Sequence, residues 1–111
     1  MLDLTTALGT LYQIKMADGE VLNLRRPTQA LQQSIVNLQK YGSDADNIEE
    51  AMSGAINIFT RILNRNTESK EFTEEEVAEE YDYTVALMVI TDYLKFYAKE
   101  VASKVPFQPA Q

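Results

Sequence analysis

Residues 83–104 read YTVALMVITDYLKFYAKEVASK. As a helix this stretch is about 33 Å long at 1.5 Å rise per residue. Asp92 is its only charge between Tyr83 and Leu94. Tyr83, Leu87, Ile90, Leu94, Tyr97 and Val101 fall on one stripe at helical spacing. Val85, Met88, Val89 and Phe96 fall on a second stripe, on another side. One apolar stripe seats a helix on its own domain, whereas two require a wrapped helix or a partner. Burying Val85, Leu87, Met88, Val89, Ile90, Leu94 and Phe96 would contribute roughly 10–20 kcal/mol gross. The rest of the chain is therefore expected to cover this helix.

Upstream, Tyr12, Ile14 and Met16 alternate with polar residues. Ala17-Asp18-Gly19 follows, and then Leu22 and Leu24 alternate with Asn23 and Arg25. Period-two alternation around Asp-Gly predicts a β-hairpin over about 11–25, with Gly19 at positive φ. Leu2 and Leu4 suggest a further short strand. Two strands are marginal alone, so the hairpin must lie on helices or pair with another chain.

Pro27 suits the first turn of a helix over 27–41, carried by Leu31, Ile35 and Leu38 with Val36 beside them and closed by Gly42. Ser43 or Asp44 is expected to cap a helix over 44–64. Its seam is Ile48, Met52, Ala55, Phe59 and Ile62, and Gly54 within it marks a close helix crossing. The polar run 64–72, NRNTESKEF, reads as a loop. Thr73-Glu74-Glu75-Glu76 is a capping box opening a short acidic helix over 74–81, and Asp82 is placed to cap 83–104. Residues 105–111, VPFQPAQ, read as an extended tail. The fold class is α+β, mainly α: an N-terminal hairpin and about four helices in one domain over 1–104.

The 111 residues suffice for a real core without a covalent staple. There is no Cys and no His, which removes thiolate chemistry and the commonest general base and metal ligand. Net charge is −7, and residues 66–82 hold eight carboxylates against Lys70 alone. No basic stripe for nucleic acid is present, and no span for a membrane. The N-terminus lacks a basic n-region, so a cytoplasmic protein is expected.

Asp44-Ala45-Asp46 resembles the start of a calcium loop, but Ile48, Glu49 and Ala55 stand where a ligand, Gly and Glu are needed. No metal or cofactor is expected. Glu74, Glu75, Glu76, Glu79 and Glu80 read as a solvated acidic face or a docking surface for a basic partner. Arg25 and Arg26 lack a Gly-rich phosphate loop after them and read as surface charges. Tyr81, Tyr83, Tyr93 and Tyr97 are core-edge tyrosines or the lining of a partner groove, with Phe96 and Phe107 adjoining.

Segment 16–31, MADGEVLNLRRPTQAL, resembles the opening of the tail assembly chaperones of long-tailed phages, mostly from Gram-positive hosts. That opening runs strand, Asp-Gly-Lys, strand, then Pro-Thr and a helix. Segment 62–101, ILNRNTESKEFTEEEVAEEYDYTVALMVITDYLKFYAKEV, is similar to the family's second block. There a Leu-Asn-x-Asn loop precedes a Thr-x-Glu-Glu helix and a long apolar helix. The likeness covers roughly 12–111 and is one of pattern. Related chains end in a fuller Pro-Asn-x-x-Ser-Pro tail, where this one has Val105-Pro106-Phe107-Gln108-Pro109.

The resemblance implies a non-catalytic assembly factor in the host cytoplasm that coats the tape measure protein until the tail tube forms around it. The major tail tube protein is a second candidate partner, and self-association into a homo-oligomer is common in the family. Val85, Met88, Val89, Tyr93 and Phe96 are the expected contact surface, to the tape measure helix or to another copy. The alternative function is a small acidic regulatory or inhibitor protein, antitoxin-like or mimicking nucleic acid. An enzyme is disfavoured by the missing His, Cys, Trp and Gly-rich loop.

Overall fold

The computed structural model describes residues 11–41 and 48–104. Two antiparallel strands, β1 (Tyr12–Lys15) and β2 (Val21–Leu24), precede four helices. These are α1 (Gln29–Tyr41), α2 (Ile48–Leu63), α3 (Glu74–Glu80) and α4 (Tyr83–Lys104). The architecture is α+β, mainly α, with the hairpin first in the chain. The expected strand at Leu2 and Leu4, the helix end at Gly42, the cap at Ser43 or Asp44, the Asp44–Asp46 motif and the tail 105–111 lie outside the described residues.

The hairpin register pairs Tyr12 with Leu24 and Ile14 with Leu22. Gly19 sits at φ +93° in the turn, and Asp18 Oδ1 accepts from the Glu20 amide at 2.9 Å. Leu22 and Leu24 are fully buried, so β2 is the core strand and β1 the outer one. The free edge of β2 is covered from within the chain. The Arg25 amide donates to Arg65 O at 3.0 Å, and the Thr67 amide donates to Asn23 O at 2.9 Å.

That cover is built by two asparagines. Asn64 Nδ2 donates to Phe72 O and its Oδ1 accepts from the Phe72 amide, at 3.0 and 2.8 Å. Asn66 is buried. Its Nδ2 donates to Leu63 O and Lys70 O, and its Oδ1 accepts from the Glu68 and Lys70 amides, all within 2.8–3.0 Å. Asn66 is the buried residue of a largely exposed loop, and an amide side chain organises the backbone around it with one donor end and one acceptor end. The Leu-Asn-x-Asn pattern is therefore a loop-folding device.

Thr28 caps α1, its Oγ1 accepting from the Leu31 amide at 3.2 Å. Pro27 thus lies before the cap, buried, rather than in the first turn as expected. The Thr73 capping box on α3 forms as read, with both reciprocal hydrogen bonds. Asp82 caps α4, its Oδ1 accepting from the Val85 amide at 2.9 Å.

The centre of the fold is α2, which packs against α1, α3, α4 and β2. This overturns the expectation that the rest of the chain wraps 83–104. On α2 the buried apolar set is Ala51, Ala55, Ile58, Phe59, Ile62 and Leu63. Ile48 and Met52, expected in the seam, are 59% and 45% exposed. Small residues decide the difference, because Ala51 and Ala55 let neighbours approach where larger side chains would hold them off. At Gly54, an added Cβ would lie 3.4 Å from Leu38 Cδ1, so α1 does cross close by.

Candidate interaction surface

Ala86, Ile90, Tyr93 and Tyr97 are the buried stripe of α4, at steps of four, three and four. Tyr83, Leu87 and Leu94 flank it half-buried, and the Val101 side chain lies outside the described residues. The stripe read from the large apolar residues is thus rotated to one side of the true one. Ala86 carries little hydropathy and Tyr93 has a polar tip, yet these two sit deepest. The spacing Ala86, Ile90, Tyr93, Tyr97 was the signal available in the sequence.

Tyr93 therefore does not belong to an open contact surface, which corrects the expectation for it. Its hydroxyl donates to Arg25 O at 2.5 Å, and the Tyr97 hydroxyl donates to Leu24 O at 2.7 Å. The Tyr12 amide donates to the Tyr97 hydroxyl at 3.2 Å. The Tyr81 hydroxyl accepts from the Ala17 amide at 3.0 Å. The tyrosines are latches holding the hairpin on the helices. Their apolar rings fill the core margin and their hydroxyls satisfy backbone groups of the hairpin, at the end of β2, the start of β1 and the turn.

The second stripe is partly sheltered by the chain itself. Phe96 meets Tyr12 edge to face at 5.4 Å between ring centroids and Tyr97 at 4.9 Å. Val85 and Val89 share that side of the helix and are half-buried. Tyr12 reaches on across the helix, its hydroxyl donating to Asp92 Oδ2 at 2.6 Å. Of the five residues expected to meet a partner, Met88 alone is open, at 65% exposure. Beside it lies an open groove of about 670 Å³. Tyr12, Ile14, Leu87, Met88 and Val89 give it an apolar lining, and Asp92 and Lys95 supply charge. Tyr12 and Ile14 were not anticipated there, because nothing local in the sequence says that β1 lies along α4.

Burial raises the hydroxyl pKa of both Tyr12 and Tyr93 well above its ordinary value, and the Asp92 carboxylate adds to this at Tyr12. Both are fixed as neutral donors. Glu68 is shifted the other way, its carboxyl held low by hydrogen bonds from the Asn23 side chain and then the Asn23 amide.

Glu74, Glu75, Glu76, Glu79 and Glu80 are all exposed on α3 around the buried Val77. Glu76 is partly engaged in the capping box, and Glu74 Oε2 accepts from Asn57 Nδ2 at 3.3 Å. Among the described residues, no three acidic side chains converge in a group that would hold a metal ion. Among the same residues, no helix is long and apolar enough to cross a membrane. No family model, curated protein or solved structure matches this chain.

Proposed function

We propose that this protein is a phage tail assembly chaperone, a non-catalytic holder that shelters apolar helical segments of the tape measure protein before the tail tube forms. Two things support the reading: the likeness of pattern over roughly residues 12–111, and the groove beside α4. The observation that carries it is Met88, open to solvent on the apolar lining of the groove. An amphipathic helix laid on such a surface buries its apolar face without chemistry. Methionine suits a guest of varied sequence, because its flexible thioether repacks against different side chains. The host cytoplasm is the compartment this role requires. Self-association belongs to the same proposal, with the groove shared between copies when no guest is present.

The test is Met88→Asp in the full chain, co-expressed with a tape measure fragment. Met88 is exposed, so the charge leaves the thermal midpoint within about 2 °C of the parent, the range of ordinary surface substitutions. Co-purification of the fragment falls at least about tenfold, as expected for a charge placed in an apolar contact. Undiminished co-purification would reject the groove as the binding face. Phe96→Asp is the wrong probe, because Phe96 stacks on Tyr12 and Tyr97 and its loss would unseat the hairpin.

A further inference from the structure

A second groove, of about 160 Å³, lies between the hairpin turn and α3. Its floor is apolar and includes the buried Leu22, Leu63 and Val77. Its rim carries Asp18, Glu20, Glu76 and Glu80 against one cation, Lys70. At less than a third of the volume beside α4, it admits a side chain rather than a helix. Lys70 reaches this rim from the chain's own loop, its ammonium paired with Glu20. A lysine in that pose lays its methylenes along apolar surface and keeps its charge in water.

Part of the negative charge on α3 is placed against the helix's own interest. Glu75 and Glu79, and Glu76 and Glu80, are like-charge pairs four residues apart, the spacing at which repulsion costs stability. Glu79 and Glu80 also stand in the last turn, at the negative end of the helix dipole, with no basic residue there. Such conflicts between local rules and placement are expected where a surface serves a partner.

We propose that this groove takes a lysine or arginine side chain presented by a basic segment of a partner protein. The aliphatic stem lies over the apolar floor, and the cationic head sits between Glu80 and Asp18, beside the carboxylate of Glu20 that Lys70 already engages through both oxygens. Charge complementarity selects the guest. A small metal ion makes no use of the floor, and an acidic or neutral segment would strip water from the carboxylates without replacing it. The site is separate from the α4 groove, so the two readings fail separately.

The experiment is fluorescence anisotropy of the full chain with a labelled helical peptide carrying lysines four residues apart on an alanine–glutamine background, which has no apolar face for the groove beside α4. Controls are the same peptide with glutamates for lysines, and spermidine as competitor. The lysine peptide binds and the glutamate peptide does not. Glu80→Lys weakens binding at least about tenfold. Glu80→Gln, which keeps the shape, weakens it about threefold. Lys70→Met frees Glu20 and tightens binding. Met88→Asp changes nothing, which separates this site from the chaperone groove. Equal binding by the parent and both Glu80 variants would overturn the proposal. So would binding of the glutamate peptide, displacement by spermidine as effective as by unlabelled peptide, or weaker binding by Lys70→Met.

Discussion

Asn66 holds four backbone groups with one side chain, inside a loop that closes the edge of β2. Replacing it with Ala leaves two carbonyls and two amides without their partner, Leu63 O among them in the core. Asn66→Ala should cost about 2–4 kcal/mol, near the upper end for single substitutions. In a chain this size that is a fall in thermal midpoint of roughly 10–25 °C, readable by circular dichroism. Asn66→Asp keeps the two acceptor contacts but replaces the donor amide by a carboxylate facing two carbonyls, so it should rescue little. A midpoint unchanged by Asn66→Ala would mean that the loop satisfies itself some other way. The sequence shows these residues only as polar, and polarity marks a loop without saying what folds it. The Leu-Asn-x-Asn pattern marks the asparagines, but what they bind is backbone, and backbone groups are the same at every position, so residue types do not say which groups they hold.

At the scale of elements, reading was most successful where the determinants are local. The hairpin turn, the Thr73 box and the Asp82 cap each depend on residues within a few positions, and each forms as expected. It failed where small residues decide. Hydropathy weights large side chains, so it favoured Ile48 and Met52 over Ala51, and the large residues of 83–104 over Ala86. Close packing favours the reverse, and α2 rather than α4 became the centre. Gly54 tests how tight that centre is. The approach to Leu38 is at van der Waals distance, and the atom involved is the end of a flexible side chain. Gly54→Ala should therefore recover most of the roughly 1 kcal/mol that glycine costs within a helix. Its urea midpoint should rise, and a fall would show that α1 and α2 have no room for one methyl group.

The described residues span 45 × 36 × 20 Å. Their thin dimension is about two helix diameters. In so thin a body a helix is covered on one side and open on the other, which is why Met88 and the α3 glutamates are both surfaces. Neither groove was legible in the sequence, since each is formed by the hairpin meeting a helix far along the chain. The same junction sets the response to alkali. Burial raises the Tyr12 and Tyr93 hydroxyls well above the ordinary value of 10.0. Below pH 10.0 the folded and unfolded chains both keep these protons, and the contribution is whole. Above it the unfolded chain releases them while the folded chain does not, so stability falls as pH rises. The slope from Tyr93 is up to about 1 kcal/mol per pH unit. Tyr93→Phe should lose about 1–2 kcal/mol at neutral pH for the missing hydrogen bond to Arg25 O. It should also flatten the alkaline slope in urea titrations, and a slope as steep as the parent's would place the titrating group elsewhere.

The bond from the Tyr12 amide to the Tyr97 hydroxyl spans 85 residues. During synthesis β1 leaves the ribosome well before α4, the helix it lies along. A two-stranded ribbon alone is marginal, and contacts this distant in sequence are slow to form. Until α4 emerges, the nascent chain carries Tyr12 and Ile14 without the helix they lie along. The chain is thus, for the length of its own translation, a client in need of the shelter that its finished form is proposed to give.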